Sequence, residues 1–274
     1  MKETLTVILN RNLGLVTNRL VEKIFKYNKD YTDIYVLDAG SKQNKMSKYT
    51  NYSVRTKSAK KNGLRFNRGM NYALSKLYLE NNLKKYKYFF LITNDTVVEA
   101  KNFIKKMFKI MEDNKKIGIL SPCSKKWGEQ KLLKKNKLKY FWYIHNNAYF
   151  LRKELILKLM SLKKPYHINF FFDGKNFRGY GSESEIFLKS YKKDLAAAIT
   201  SDVWIEENEN YLIKKSKLIN TENFDKNLKL YISEGKQWLK KKYGTENLWD
   251  LNLMVKKEYD KFFKRNKKLK MFKI

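Results

Sequence analysis

Tyr88-Phe89-Phe90-Leu91-Ile92-Thr93-Asn94-Asp95 is a short apolar run that stops abruptly at a polar pair. Such a run reads as a strand buried on both faces. The same pattern occurs twice upstream. Leu5–Leu9 runs into Asn10-Arg11, and Ile34–Leu37 runs into the turn cluster Asp38-Ala39-Gly40-Ser41. Helix-period stretches lie between and after these runs. Val16–Tyr27 has Leu20/Ile24 and Val21/Phe25 four apart; Asn67–Glu80 carries Met70, Ala73, Leu74 and Leu77; Lys101–Asp113 carries Phe103, Met107, Ile110 and Met111. Tyr52–Arg55 and Ile117–Leu120 add two further strands. Alternating strand and helix predicts an α/β fold, a mainly parallel sheet with helices on both faces. Ligands of such sheets bind outside the carboxyl ends of the strands. Asn10-Arg11, Asp38 and Asp95 each close a different strand, so they are expected to converge on one crevice.

The rest of the chain extends this pattern and then changes it. Residues 124–139 form a basic connector with seven lysines and one acid, Glu129. An apolar block, Tyr140–Leu151, precedes a helix beginning at Glu154. Phe170-Phe171-Phe172 leads into a loop spaced by Gly174, Gly179 and Gly181, then a helix over Ser182–Tyr191 and a strand over Ala196–Ile205. From residue 211 only helical spacing remains, in Leu228, Tyr231, Ile232, Trp238, Leu239 and again in Leu248, Leu251, Val255, Tyr259, Phe262. The expected organisation is an α/β domain over 1–210 with a basic helical extension over 211–274.

Composition removes several classes. With 274 residues, 43% of them hydrophobic, the chain can bury a sizeable core despite a net charge of +33. The lone Cys123 permits no intrachain disulfide, which points to a reducing, cytoplasmic setting. Cys123, His145 and His167 cannot assemble a four-ligand zinc site. His145, within an aromatic run, reads as a buried, hydrogen-bonded core residue. H-E-x-x-H, G-x-x-x-x-G-K-[ST] and G-x-G-x-x-G do not occur. No stretch approaches the roughly 18 apolar residues of a membrane span, and Leu5–Leu9 is too short for a signal peptide. The positive charge has two readings: lysine bias spread over the whole chain, or a basic face for acidic partners.

In order, these pieces resemble family 2 glycosyltransferases with the GT-A fold, over about residues 4 to 207. Thr6-Val7-Ile8-Leu9-Asn10-Arg11 is similar to the opening strand of that family, and Val36-Leu37-Asp38-Ala39-Gly40-Ser41 to its D-x-G-S turn. Asn67-Arg68-Gly69-Met70-Asn71 resembles the segment where a loop meets a helix N-terminus, a setting that favours a diphosphate. Thr93-Asn94-Asp95 resembles the metal-binding D-x-D segment, and Gly179-Tyr180-Gly181-Ser182-Glu183-Ser184-Glu185 the late acidic motif. Three departures stand out. Thr93 replaces the first aspartate, glutamates replace two aspartates at Glu183 and Glu185, and Val203-Trp204-Ile205-Glu206 stands where the family often has a histidine.

The resemblance implies inverting transfer of a sugar from a nucleotide-sugar donor to a glycan or lipid-linked acceptor. Glu183 would be the general base. Asn10, Arg11, Asp38, Asn67, Arg68, Asn94 and Asp95 would bind the donor, with Asp95 also holding Mn²⁺ or Mg²⁺. Glu185 and Trp204 would meet the acceptor. Each residue has a structural alternative: a turn cap for Asp38, a helix cap for Asp95, first-turn acids for Glu183 and Glu185, core for Trp204. Two rival functions remain at this level. One is a basic nucleic-acid-binding protein, although no nucleic-acid motif occurs; the other is a catalytically inactive relative that binds sugar nucleotides. Seven cations after Asp260 add the expectation of peripheral contact with an anionic membrane.

Overall fold

The apolar runs become strands of one sheet. The computed structural model describes residues 2–98, 101–126, 128–133, 137–143, 148–208, 210–214, 217 and 222–274. Strands β1 (Thr4–Asn10), β2 (Thr32–Asp38), β3 (Thr50–Ser53) and β4 (Tyr88–Thr93) lie parallel, in the spatial order β3-β2-β1-β4. Five more follow: β5 (Thr96–Val98), β6 (Ile117–Cys123), β7 (Leu138–Tyr140), β8 (Tyr149–Arg152) and β9 (Ala196–Glu207). β6 and β9 form a second parallel pair, and β8 runs antiparallel between β4 and β6. β5 and β7 pair antiparallel with β9. The sheet is therefore parallel across β3-β2-β1-β4 and mixed beyond β4, where β8, β5 and β7 all run antiparallel to their neighbours and the Tyr140–Leu151 block divides between β7 and β8. His145 lies outside the described residues.

The helices are α1 (Gly14–Asn28), α2 (Lys57–Asn62), α3 (Arg65–Leu79), α4 (Phe103–Asp113), α5 (Lys153–Leu159), α6 (Tyr166–Asn169), α7 (Ser182–Lys192), α8 (Asn210–Ile213), α9 (Phe224–Tyr243) and α10 (Leu248–Arg265). Two short ones, α2 and α6, and the three-residue β5 escape periodicity, because fewer than two turns, or three strand residues, carry no readable period. Most of the apolar stripes bury as expected, and three of their residues stay exposed. Phe25 of α1 stays exposed, and so do Leu228 and Ile232 of α9.

Both C-terminal helices join the core of the sheet. Trp238 and Leu239 of α9 and Leu251, Val255, Tyr259 and Phe262 of α10 are buried within it. Each such side chain contributes about 1.5–3 kcal/mol relative to exposure. Side-chain caps start both helices: Asn223 accepts from the Lys226 amide at 2.9 Å, and Asn247 from the Trp249 amide at 3.0 Å. α10 lies along α7, where the Ser184 hydroxyl donates to Asn252 and the Tyr191 and Tyr259 rings meet edge to face. Gly235 gives α9 the close approach it needs, because Tyr180 lies directly on its backbone.

Candidate active site

The parallel register of β1, β2 and β4 brings three strand ends together. Asn10 lies opposite Asp38, and Leu9 opposite Thr93. The Asn10 amide donates to the Asp38 carboxylate at 2.8 Å, and its carbonyl accepts from Asn94 at 2.9 Å and from the Thr17 hydroxyl at 2.8 Å. Asp38 also accepts from the Gly40 and Ser41 amides and from the Ser41 and Ser53 hydroxyls. Asn10 and Asp38 have no exposed surface. Their polar capacity goes into holding the two loops that follow β1 and β2. The Asp38 carboxylate thus takes its bonds from β1, β3 and the turn that follows β2, because a buried carboxylate gathers every donor in reach.

Arg11 reaches across to the next loop. Its guanidinium donates to the carbonyls of Ala39, Ala59, Lys60 and Lys61, gripping the C-terminal end of α2. Cations suit that end of a helix. Burial lowers its pKa, and the nearby Arg65 lowers it further.

The open part of the site lies one step further along the sheet. A cavity of about 200 Å³ is lined by Thr93, Asn67, Glu183, Glu207, Tyr149 and Tyr231, among others. Glu183 enters it from the first turn of α7. Gly179 (φ +85) and Gly181 (φ +68) turn the chain into that helix with left-handed conformations that favour glycine. Asn67 donates to the Ser182 hydroxyl at 2.8 Å and to the carbonyls of Asp173 and Asn176, while its own carbonyl oxygen is buried without a hydrogen bond. Thr93 donates its hydroxyl to Asp95 at 2.5 Å. Burial raises the Asp95 pKa above its ordinary value of 3.8, and the Thr93 hydroxyl only partly offsets this. Burial also pushes the Tyr149 phenol well up, and the charges of Glu183 and Glu207 add to the shift.

Three expected site residues face elsewhere. Glu185 is buried between Lys242 (2.6 Å) and Lys189 (2.8 Å), an ion-paired clamp between α7 and the end of α9 and not an exposed acceptor contact. Arg68 donates to the Gly174 carbonyl at 2.7 Å, stacks over Phe177 and lines a different, larger cavity. Trp204 is half-buried on β9 and lines none of the described cavities. Strand alternation puts it with Glu206, which binds Ser124 and the Lys125 amide, and not with Glu207.

Glu207, Arg178, Tyr149 and Tyr231 complete the cavity without a sequence expectation behind them. Glu207 had a signal. It is an acid at the end of the last strand, the same rule that singles out Asp38 and Asp95, but β9 runs two residues past Ile205. Pairing with β5 sets Glu207 opposite Thr96, next to Asp95, and the Asn208 amide donates to the Asp95 carbonyl at 2.9 Å. Arg178 binds Glu234 through two bonds and Glu222 through a third, and Arg65 joins Glu222 at 2.8 Å. This network ties α9 to the glycine loop, and Tyr231 arrives with it. Nothing local to Tyr231 announces such a contact.

Asp95 and Glu207 offer hard oxygen ligands of the kind Mg²⁺ and Mn²⁺ take. No group of three His, Cys, Asp or Glu side chains among the described residues forms a metal cage. That donor set fits an ion held by one or two carboxylates and completed by phosphate oxygens.

No family model matches the sequence, and no curated protein is similar to it. Solved structures do match in fold. A crystal structure of GalNAc-T7 with UDP, GalNAc and Mn²⁺ superposes with a TM-score of 0.58 at 11% identity, over 96% of this chain and 56% of that one. This chain thus spans little more than half of GalNAc-T7. Residues 1–349 of S. aureus TarS in complex with UDP-GlcNAc superpose with a TM-score of 0.52 at 13% identity, over 96% of this chain and 73% of that one. At these identities the likeness concerns the fold, and the chain has the α/β architecture of GT-A glycosyltransferases.

Proposed function

We propose that the chain is a glycosyltransferase that moves a sugar from a nucleoside-diphosphate sugar to an acceptor hydroxyl with inversion. One observation carries the reading. Glu183, Thr93 and Glu207 meet in a cavity at the carboxyl ends of the strands, where α/β sheets bind ligands. In the proposed step the acceptor oxygen bonds to the anomeric carbon as the bond from that carbon to the diphosphate oxygen breaks. Glu183 takes the hydroxyl proton. Asp95, with Glu207 beside it, would hold the divalent ion, which supplies charge compensation for the leaving diphosphate. Asn10 and Asp38 shape the donor loops from below. The GT-A fold and the donors and Mn²⁺ named for its solved relatives support this reading.

The test is thermal stabilisation by a panel of nucleotide sugars with and without Mn²⁺, since a ligand that binds only the native state raises its melting temperature. A metal-dependent shift by at least one nucleotide sugar is the expected result. A panel with no shift at millimolar concentration rejects the reading.

The acceptor reading includes peripheral attachment. No helix among the described residues is long and apolar enough to cross a membrane. Of the seven C-terminal cations, Lys261, Arg265 and Lys273 are engaged by Glu258, Asp194 and Asp260. Lys264, Lys267, Lys268 and Lys270 remain exposed beside Met271, 70% exposed. At about 1 kcal/mol per cation near an anionic leaflet, these four residues would give salt-sensitive co-sedimentation with phosphatidylserine vesicles, lost when all four become glutamate.

A further inference from the structure

Glu183 and Glu185 are two residues apart on α7, about 200° around the helix, and they serve two different cavities. The partners of Glu185, Lys189 and Lys242, lie in the wall of a larger one of about 870 Å³. Neighbouring residues contribute to both cavities: Asn67 and Arg68 on α3, Arg178 and Lys175 in the glycine loop, Tyr231 and Glu234 on α9. The segment from Asp173 to Arg178 is thus a partition, with the proposed reaction site on one side.

The larger cavity has a cationic wall and an apolar floor. Arg68, Lys175, Lys189, Lys241 and Lys242 supply the charge; Phe171, Phe172 and Trp238 are among the apolar groups. Its two acids are already engaged. Asp173 accepts from Lys242 and from the Trp238 indole N–H, and Glu234 is held by Arg178. Burial raises the Asp173 pKa, but these bonds outweigh it and hold the carboxyl below its ordinary value. Arg68, Lys175 and Lys241 have no acid at ion-pair distance among the described residues. Lysines are spread along the whole chain. A concave wall of cations whose own acids are spent is a narrower feature, and its volume lies in the range of ligand sites, about 300–1,000 Å³.

We propose that this cavity binds an anionic oligosaccharide, with carboxylate or phosphate groups on its rings, as the remainder of an acceptor whose reacting hydroxyl enters the Glu183 cavity. The acceptor role rests on the glycosyl-transfer reading; the binding does not. Pyranose rings present apolar C–H faces to the half-buried Leu159 and Ile168 of the same lining, while their anionic substituents meet Arg68, Lys175 and Lys241.

The experiment is calorimetric titration of the full chain with three hexasaccharides: an oligogalacturonate, a phosphorylated glucose oligomer and neutral maltohexaose. At least one anionic hexamer should bind ten-fold or more tightly than the neutral one. The double variant Lys175→Glu/Lys241→Glu should weaken that binding at least ten-fold. The control Lys23→Glu/Lys26→Glu, with the same change in charge on α1, which lines neither cavity, should stay within two-fold. Which anionic hexamer wins tells carboxylate from phosphate. Equal weakening in both variants, or equal binding of neutral and anionic hexamers, overturns the proposal. Donor stabilisation by nucleotide sugars should be unchanged in the cavity variant. If anionic hexamers bind as described while no nucleotide sugar stabilises the parent chain, the transfer reading falls and the site stands.

Discussion

Two polar clusters lie at the carboxyl ends of neighbouring strands, and they differ in how their groups are satisfied. Around Asp38 the carboxylate, the Asn10 amide and the Ser41 hydroxyl are paired with one another, and Asn10 and Asp38 are wholly buried. Around Thr93 and Asn67 the balance is poorer. The Asn67 carbonyl oxygen is buried without a hydrogen bond, burial raises the Asp95 pKa, and Glu183 and Glu207 share a cavity with two tyrosines. A self-satisfied buried network rigidifies a structure. A site of incompletely satisfied, perturbed polar groups beside a cavity is where binding and proton transfer are expected. The first cluster is therefore scaffold and the second is the proposed machinery, and substitutions in the two should separate stability from turnover.

The largest effect is expected at Glu183. Glu183→Gln keeps the shape and removes the base, so turnover should fall by about 10²–10⁴-fold with nucleotide-sugar affinity within a few-fold. Single-turnover kinetics with saturating donor measures it. Normal chemistry with lost donor binding would move Glu183 to the donor side of the cavity.

Asp38→Ala should act on stability first. It leaves the Asn10 amide and the Ser41 hydroxyl and amide without their acceptor, a cost of about 3 kcal/mol when charged and buried bonds are lost together. Urea denaturation should show it, with the midpoint lowered and the slope unchanged. A variant as stable as the parent that loses discrimination between nucleotide bases would restore Asp38 to the donor site and erase the contrast drawn here.

Glu185→Gln tests the clamp between α7 and α9. It leaves Lys189 and Lys242 without their shared carboxylate, and both lysines retain access to water. About 1–2 kcal/mol of stability should be lost, less than for a sealed ion pair. Activity at a temperature well below the melting point should remain within a few-fold. A large loss of turnover in a fully folded variant would instead place Glu185 among the acceptor contacts.

The smallest effect carries an informative sign. Burial raises the Asp95 pKa above 3.8, so the native chain binds that proton more tightly than the unfolded chain does. Its contribution to stability is present below the ordinary pKa and declines as pH rises through the folded value. Asp95→Asn should remove that decline, making the metal-free chain slightly more stable at pH 7 while abolishing stabilisation by Mn²⁺ with a nucleoside diphosphate. Asp173 has the opposite sign. Its pKa is depressed, so its contribution is present above pH 3.8 and lost as pH falls through the folded value. Melting temperatures of Asp95→Asn and Asp173→Asn between pH 3 and 8 should diverge from the parent in opposite directions.

The strands and the longer helices were legible because burial imposes a period on the chain. Leu5–Leu9, Ile34–Leu37 and Tyr88–Thr93 had to be strands ending in polar residues, and parallel register was expected to bring Asn10-Arg11, Asp38 and Asp95 together; it is Asn94 that bonds Asn10. Local spacing also placed Glu183 at a helix start behind two glycines, where it stands. Direction and partnership were not legible in the same way. Whether a carboxylate at a strand end looks into a cavity or down into a turn depends on which donors the fold brings to it, and those around Asp38 come from β1, β3 and the loop between β2 and β3. Glu185 looked like a twin of Glu183 until Lys242, 57 residues downstream, closed over it. Tyr231 and Arg178 reached the cavity because α9 folds back onto the glycine loop through Glu222 and Glu234. Sequence alone determines periodicity and chemical type, because each residue carries its own polarity along the chain. Only the tertiary structure decides which charges are spent on neighbours and which are left for a ligand, because ion pairs and hydrogen bonds form between elements that the sequence keeps far apart.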